Sequence, residues 1–540
     1  MAKANSGLLR YFNFRRRGPG APAVLAWPAL AAAAVVLLPV GYLLFRTIDA
    51  GGEAWGLVAR VQTLEILFRS ALLALAVTGS SLVLALPLAW LTVRTDLPGR
   101  RLWSVLTVMP LVVPSYVGAF ALISALGPKG LIQQALEGPF GVDRLPEIFG
   151  FPGAWLTLTL FTYPYLLLSI RASLWGMDPA LEEASRSLGH GARSSFFRIT
   201  LPHLRPAIAA GALLVALYTL SDFGAVSLLR FDSFTRIIFL QYEASFDRTL
   251  ASALSLVLVV FTIGLLVVEQ RARGRARYHS VGAGSQRPPA TVRLGRWRWP
   301  AVALCGVVVL VALGLPVSVL LYWLSEGLAQ GVSLRFLAGA TFNALYASGL
   351  AALVVVAAAL PVSILAVRFA GRLPRVIEGA TYLGFAMPGI VVALALVFFG
   401  ANFATPVYQT TFMLVLAYLV MFLPLAVGTV KATLLQVNPG VEEAGRSLGR
   451  SQLSVWASVT IPLIRPGIVV GAALVFLTAM KELPATLLLA PTGFRTLATE
   501  MWAAADQGFF AAAALPGLLL MLVSAFPVAI LLMRERRADG

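Results

Sequence analysis

The chain has 540 residues, of which 59% are hydrophobic and only 12% are charged, and its mean hydropathy is +0.84. Soluble globular proteins carry about 25% charged residues, so this charge cannot cover the surface of a soluble body of this length. The composition therefore excludes a soluble enzyme and a disordered protein. The single cysteine, Cys305, excludes a disulfide scaffold. What remains is a polytopic membrane protein.

A helix needs about 20 mainly apolar residues to cross the hydrocarbon layer. Taken in chain order, such runs predict an all-α membrane protein of about twelve transmembrane helices. In the first half they lie near 24–45, 66–93, 102–126, 153–172, 204–229 and 250–268. In the second half they lie near 299–324, 341–369, 376–400, 407–430, 464–490 and 511–533.

These spans divide the chain into two halves joined by a linker. We expect a cytoplasmic amino-terminal tail, a first six-span half, a cytoplasmic linker, a second six-span half and a cytoplasmic carboxyl-terminal tail, at 1–23, 24–268, 269–298, 299–533 and 534–540. The linker is rich in Arg, Gly and Pro and has no apolar period. It is therefore predicted to be a plain tether.

The charged residues predict the orientation. Twelve spans put both termini on one side, and 31 of the 42 Lys and Arg residues fall on that side. With the acidic residues included, the net charge is +21 on the terminal side and −3 on the other. The positive-inside rule then makes both termini cytoplasmic. The orientation of the chain in a lipid bilayer explains the excess of basic residues, so we expect no nucleic-acid partner.

An internal repeat relates the two halves. Residues 179–189 read PALEEASRSLG, and residues 439–449 read PGVEEAGRSLG, an offset of 260 residues. Upstream, Pro87 and Arg94 match Pro361 and Arg368, and Met109-Pro110 matches Met387-Pro388. Six spans, an even number, separate the copies. The halves are therefore predicted to be parallel repeats with an axis along the membrane normal.

Both copies of the repeated segment have the signals of a short helix. Asp178-Pro179 provides a cap followed by proline at the first helical position, and Glu182 and Glu183 suit the positive end of the helix. Gly189 ends the helix and allows a sharp bend before a second helical stretch. The second copy repeats this pattern with Asn438-Pro439, Glu442, Glu443 and Gly449. Each copy is predicted to form an L that protrudes into the cytoplasm.

The spacing of these residues is similar to the EAA loop of ABC importer permeases, which docks on a cytoplasmic ATPase as a coupling helix. The matching positions are Glu183-Ala184, Gly189, Ile199 and Pro202 in the first copy, and Glu443-Ala444, Gly449, Val459 and Pro462 in the second. The resemblance implies that ATPase coupling involves Glu182, Glu183, Ala184, Arg186, Gly189, Pro202, Glu442, Glu443, Ala444, Arg446, Gly449 and Pro462. The alternative is that the glutamates are only cap charges and that Arg186 and Arg446 are only their helical partners.

The sequence holds no Gly-x-x-x-x-Gly-Lys-Ser/Thr stretch for cradling phosphates. The chain is therefore predicted to be a permease, without enzymatic activity or cofactors of its own, with ATP and Mg²⁺ on a partner. The resemblance implies a cytoplasmic ABC ATPase in two copies, an extracytoplasmic substrate-binding protein, and a bacterial inner membrane as the location.

Ionisable residues inside a span are functional candidates. Asp222 aligns with Glu482, and the predicted symmetry makes the two carboxylates face a common pathway. The pathway candidates are Tyr116, Tyr218, Asp222 and Glu482, whose oxygen atoms suit a hard cation. We expect no tightly bound metal, with Asp222 and Glu482 as transient contacts. Alternatively, Lys481 neutralises Glu482 and Asp222 lies in the headgroup layer.

The twelve-span plan, LSDFG at 220–224 and MKELPAT at 480–486 look like the ferric-iron importer permeases. Thiamine, polyamine and phosphonate importers are the alternatives within this machinery. An ion-gradient-driven secondary transporter is the alternative of another class, but it has no need of two ATPase-docking loops. Charges that are available to contact the binding protein are Glu243, Asp247, Arg248 and Asp506.

Two matched pairs of small residues are predicted to bring helices close together. Ala207 and Gly211 stand four residues apart in the fifth span, as Gly467 and Gly471 do in the eleventh. Such pairs allow close helix approach in membranes. Because they are common in helical membrane proteins, they do not by themselves favour any function.

Overall fold

The structure is a computed structural model that describes residues 22–49, 51–52, 56, 59–244, 249–272, 291–331 and 335–538. Helices make up nearly all of this part of the chain. The β-bridge found among the described residues is an isolated one between Thr95 and Val292. The predicted all-α class is confirmed.

Twelve α-helices occupy the described residues before the linker. They are α1 Ala23–Asp49, α2 Val61–Arg94, α3 Arg100–Leu106, α4 Ser115–Leu126, α5 Leu131–Phe140, α6 Phe151–Trp175, α7 Pro179–Ser187, α8 Ala192–Ser195, α9 Leu201–Ser221, α10 Gly224–Leu228, α11 Phe234–Ala244 and α12 Thr249–Ala272. Short turns of tighter or wider helix lie at Met109–Val112 and Phe196–Thr200.

Twelve more follow in the described residues after the linker. They are α13 Arg298–Val309, α14 Leu315–Ala329, α15 Arg335–Arg368, α16 Arg372–Leu383, α17 Gly389–Phe403, α18 Thr411–Leu434, α19 Pro439–Ser447, α20 Gln452–Val455, α21 Ile461–Met480, α22 Pro484–Leu489, α23 Leu497–Asp506 and α24 Phe510–Ala538. Further short turns lie at Gly295–Trp297, Leu310–Gly314, Gly384–Ala386, Thr405–Val407 and Trp456–Thr460.

Among the described residues, ten helices are long and apolar enough to cross a membrane, and eleven if the broken pair Arg372–Ala386 and Gly389–Phe403 counts as one span. A shorter apolar helix, Phe510–Ala525, lies in the twelfth predicted span. The predicted third span, 102–126, is divided into α3, a 3-10 turn and α4. The predicted runs are therefore helical, but the fifth and the eleventh contain a break after α9 and α21. Two others, the third and the ninth, are also interrupted.

Proline sets both interruptions. Pro114 immediately precedes α4 with φ −60° and ψ 144°, and Pro388 immediately precedes α17 with φ −59° and ψ 144°. Met109 and Pro110 lie instead in the 3-10 turn. The residue that corresponds structurally to Pro388 is therefore Pro114, and the pairing of Pro110 with Pro388 suggested by the repeat is wrong.

The chain divides into two compact units that cut across the predicted halves. The first unit comprises Met1–Leu38, Leu350–Phe385 and Tyr418–Phe476. In it, α21 lies directly on α18: a Cβ at Gly467 would be 2.1 Å from the Thr433 hydroxyl oxygen, and one at Gly471 would be 2.5 Å from that of Thr429. The close approach predicted for this pair of glycines is confirmed.

The second unit comprises Pro39–Gly349, Ala386–Ala417 and Leu477–Gly540. Here α6 is the central helix and packs along α2, α4 and α9. A Cβ at Gly211 of α9 would be 2.9 Å from the Leu166 Cα, which confirms a second close approach. The Tyr163 hydroxyl of α6 donates to the Thr107 carbonyl at 2.7 Å.

The end of the linker is bonded to the chain just after α2. The Val292 N–H donates to the Arg94 carbonyl at 2.7 Å, and the Asp96 N–H donates to the Val292 carbonyl at 3.2 Å. Asp96 also accepts the Leu294 N–H and the Arg298 guanidinium, both at 2.7 Å. We call these contacts the linker clasp. The predicted plain tether therefore has an ordered end, while residues 273–290 lie outside the described part of the chain.

The Asp96 carboxylate of the linker clasp is expected to stabilise the fold equally at every pH well above its pKa. The backbone N–H of Leu294, followed by Arg298, lowers the pKa of Asp96 below its ordinary value of 3.8. A lowered pKa adds stability above the unfolded-state value that is lost only as the pH falls through the folded-state value. We expect Asp96→Asn to lower the thermal midpoint of the purified protein by the same amount at every pH between about 5 and 8.

The control is Asp143→Asn, which removes an exposed carboxylate outside the linker clasp. Thermal unfolding in detergent across this pH range measures the effect. An Asp96→Asn midpoint equal to that of wild type would mean that the charge of Asp96 contributes nothing to stability.

Candidate functional site

The repeated segments form two similar bent structures, which we call the first elbow (residues 178–200) and the second elbow (residues 438–460). The Asp178 carboxylate accepts the Ala180 N–H at 2.9 Å, and the Asn438 side chain accepts the Gly440 N–H at 2.9 Å. The helices α7 and α19 follow these caps. Each chain then turns at a glycine in the left-handed region, φ +85° at Gly189 and +80° at Gly449. Each copy therefore consists of two short helices that meet at a turning glycine, as predicted.

The two arms of each elbow cross at equivalent positions. In the first elbow, the Ser185 and Ser195 hydroxyls lie 2.8 Å apart and are buried. In the second, a Cβ at Gly445 would lie 3.1 Å from the Val455 side chain. Both pairs stand at the repeat offset of 260 residues. A small residue on the first arm therefore lets the second arm pack directly against it.

The second arm of each elbow runs without a loop into a long helix. Wide helical turns, Phe196–Thr200 and Trp456–Thr460, join α8 to α9 and α20 to α21. Pro202 and Pro462 lie in the first turns of α9 and α21, where proline is tolerated. In the first elbow, the Phe196 ring also lies edge-on to Trp90 of α2, with centroids 5.0 Å apart.

The outer surface of each elbow combines polar residues with an exposed leucine at the tip. Leu188 is 78% exposed and Leu448 is 83% exposed, each directly before the turning glycine. The predicted coupling residues that are exposed are Glu183, Ala184, Gly189, Glu443, Ala444, Arg446, Gly449 and Pro462. The side chains of Glu182 and Arg186 lie outside the described part of the structure. The tip leucines were not among the predicted residues, although the repeated Leu-Gly pair marks them.

Glu442 differs from its neighbour Glu443. It is only 9% exposed, and its Oε1 accepts Arg368 Nε at 3.0 Å and Nη2 at 2.9 Å. The same oxygen accepts the Thr460 hydroxyl at 3.2 Å. Glu442 therefore lies inside the protein and is not available to a docking partner.

Asp222 follows α9 and caps α10. Its Oδ1 accepts the backbone N–H groups of Ala225 at 3.0 Å and Val226 at 3.3 Å, and its Oδ2 accepts the Ser115 hydroxyl. Its carbonyl accepts the Thr235 hydroxyl at 2.5 Å. The buried carboxylate therefore satisfies backbone groups at a break between helices.

Glu482 has the same role at the corresponding break. Its Oε1 accepts the Ala485 N–H at 3.2 Å, and its carbonyl accepts the Thr486 hydroxyl at 2.7 Å. The neighbouring Lys481 ammonium donates to the Leu111 carbonyl at 3.2 Å. Within the described residues no ion pair joins Lys481 to Glu482, so local neutralisation of Glu482 by Lys481 is not observed.

Oxygen atoms gather around Asp222. Tyr218 lies beside Asp222, Ser115 and Tyr165, and its ring is 5.7 Å from that of Tyr165. Tyr116 is buried, and its hydroxyl donates to the Lys481 carbonyl at 3.4 Å. Three of the four pathway candidates are thus in one cluster. The described residues contain no group of three or more His, Cys, Asp or Glu side chains that could hold a metal ion.

A cavity of about 430 Å³ lies between the predicted extracytoplasmic loops of the second unit. Glu243 and Asp506 both line it, and burial, together with the charge of Asp506, raises the pKa of Glu243 above its ordinary value. Arg230 also lines it, with φ +55° and its guanidinium 5.4 Å from the centre of the Phe149 ring. The predicted contact residues Asp247 and Arg248 lie outside the described residues.

Comparisons with known proteins agree with this architecture. The model of the family described as "Binding-protein-dependent transport system inner membrane component" matches residues 81–273 and 359–537. Each matched segment contains one elbow. The chain is a helical membrane protein built on a repeated permease unit, and it belongs to this family of binding-protein-dependent transport permeases.

Several curated relatives are similar to the chain. It is 35% identical to the Fe(3+)-transport system permease protein FbpB 2 of Haemophilus influenzae, over 92% of this chain and 95% of that protein. It is 25% identical to the ferric transport system permease protein FbpB of Actinobacillus pleuropneumoniae, over 87% of this chain and 70% of that protein. The molybdenum transport system permease protein ModB of Escherichia coli is 35% identical over 29% of this chain and 69% of its own length.

The cap geometry of Asp222 predicts that its asparagine and alanine variants differ in their free energy of unfolding. Asp222→Asn retains an oxygen that accepts the Ala225 and Val226 N–H groups, whereas Asp222→Ala leaves them without an acceptor. We expect Asp222→Ala to reduce the free energy of unfolding by about 1 kcal/mol, the usual cost of losing a helix cap. Asp222→Asn is expected to stay close to wild type.

Thermal or denaturant unfolding of the purified protein measures this difference. Glu482→Ala and Glu482→Gln form the matched pair in the other repeat. If Asp222→Asn destabilises the protein as much as Asp222→Ala does, the negative charge rather than the cap stabilises this break.

Proposed function

We propose that this chain is the membrane-spanning permease of an ATP-driven importer of ferric iron. The two elbows dock on a cytoplasmic ABC ATPase, and both termini lie in the cytoplasm. The observation that carries the proposal is the pair of elbows, which have equivalent side-chain caps, the same left-handed glycine and the same exposed tip leucine. A secondary transporter has no use for such a pair.

Each elbow presents an apolar tip suited to a groove on the ATPase. Leu188 and Leu448 occupy matching positions in the two elbows, and burying one leucine side chain against a partner contributes about 1.5–3 kcal/mol. Glu183 and Glu443 lie on the same exposed surfaces and give the contact its orientation. Two elbows imply two copies of the ATPase, on which ATP and Mg²⁺ bind.

The elbows also have the stiffness that coupling requires. Their arms are fixed by helix caps and by direct packing at Ser185–Ser195 and Gly445–Val455. Because the second arm continues into α9 or α21 through a helical turn, a displacement of the tip moves a membrane helix directly. Closure of the ATPase pair would in this way switch the permease between outward-facing and inward-facing states.

Ferric iron is the substrate that the relatives favour. Those named for ferric transport match most of this chain, whereas the molybdenum permease matches 29% of it. The oxygen cluster of Ser115, Tyr116, Tyr218 and Asp222 suits a hard cation. Because Asp222 and Glu482 already accept backbone N–H groups, they would contact iron only in passage. Selectivity then belongs to an extracytoplasmic binding protein.

The proposal predicts the effect of removing the two exposed carboxylates. In vesicles that contain the permease, its ATPase and iron-loaded binding protein, Glu183→Ala combined with Glu443→Ala should reduce ATP-dependent iron uptake by about tenfold or more. Co-purification of the ATPase should weaken in parallel, because the docking contact is lost. Glu137→Ala, which removes an exposed carboxylate of α5, is the control and should behave as wild type.

Two outcomes would contradict parts of this proposal separately. Unchanged uptake and unchanged ATPase association in the double variant would reject the elbows as docking sites. A binding protein that copurifies with thiamine, a polyamine or a phosphonate, and that stimulates uptake of that compound, would reject iron and leave the ATP-driven mechanism in place.

A further inference from the structure

We propose that Arg368 is the positioning residue that transmits motion of the second elbow to the membrane helix α15. The inference rests on the proposed coupling function and adds a route by which the elbow moves a helix other than the one it continues into. Arg368 is the last residue of α15. All of its partners described below lie in the same compact unit.

The guanidinium of Arg368 joins three segments at one point. Its Nε and Nη2 both donate to Glu442 Oε1 of α19, and Nη2 also donates to the Val437 carbonyl, at 3.1 Å, in the turn before α19. The Thr460 hydroxyl donates to the same Glu442 oxygen. The arginine therefore holds the beginning of the elbow, while its carboxylate partner holds the turn that leads into α21.

The pair is enclosed, which makes it suitable for transmitting motion. The side chains of Arg368 and Glu442 are each 11% exposed. Surface ion pairs are weak and screened by salt, but removing one member of a buried pair leaves an uncompensated charge. The adjacent Glu443 is exposed and carries the docking contact. Glu443 therefore faces the partner, and Glu442 faces α15.

The first half of the repeat contains residues that correspond to Arg368 and Thr460. Arg94 ends α2 as Arg368 ends α15, and it is almost fully buried. Thr200, which corresponds to Thr460, is buried as well. The two arginines match in the sequence repeat, so a largely buried arginine ends the corresponding long helix in each half.

The test uses the complete complex of permease, ATPase and loaded binding protein in vesicles. Arg368→Gln should lower the maximal rate of ATP-dependent uptake by about tenfold. ATPase co-purification and the concentration of loaded binding protein that gives half-maximal uptake should both stay at wild-type values, because neither docking surface is changed. Arg372→Gln, an exposed arginine one short turn away on α16, is the control.

A charge exchange separates positioning from folding. Arg368→Glu with Glu442→Arg restores an ion pair between the two segments, so its maximal rate should recover above that of either single variant. A wild-type rate in Arg368→Gln would overturn the inference, and so would a loss that the exchange does not relieve. Loss of ATPase binding in Arg368→Gln would also overturn it, because the residue would then only shape the docking surface. Failure of the wild-type elbows to bind an ATPase would instead reject the proposed function.

Discussion

Backbone hydrogen bonding within a lipid layer is the constraint on which the rest of this structure depends. No water is present there to pair with exposed N–H and carbonyl groups, so a chain that breaks a helix must provide partners from its own side chains. The breaks after α9 and α21 meet this requirement with Asp222 and Glu482, each of which accepts the backbone N–H of the next short helix. A side-chain acceptor at these positions is thus required by the fold before any question of substrate arises.

Outside the lipid layer, the same chain forms a rigid projection in each repeat. Side-chain caps at Asp178 and Asn438, together with left-handed glycines, fix the shape of each elbow. The buried connection of Arg368 to Glu442 then ties the second elbow back to a membrane helix. Stiff projections joined directly to spans are what a permease needs if the energy source is a separate protein.

Much of the architecture followed from the sequence because it depends on strong local signals. Long apolar runs located the helices, and the 260-residue repeat located both elbows. The breaks at Pro114 and Pro388 were harder, because each lies inside a continuous apolar run and proline is tolerated in membrane helices. The repeat alone paired the wrong prolines, because Met109-Pro110 and Met387-Pro388 have the same sequence but different backbone conformations.

The parts of the site that could not be predicted depend on three-dimensional contacts. Glu442 and Glu443 are adjacent and identical in type, and only the position of Arg368 determines that one is enclosed and the other exposed. Asp222 was predicted as a pathway residue because it is ionisable within a span, and its cap contacts emerge only once α10 is folded. The linker clasp joins residues about 200 positions apart, which no local pattern indicates.

The central claim is that both elbows are the surfaces on which the ATPase acts. Photo-crosslinking from a probe placed at Leu188 or at Leu448, in membranes that contain the working complex, tests it directly. We expect a crosslink to the ATPase from each position, and none from the exposed Leu353 of α15. ATP-dependent uptake that proceeds while neither elbow tip crosslinks to the ATPase would contradict it.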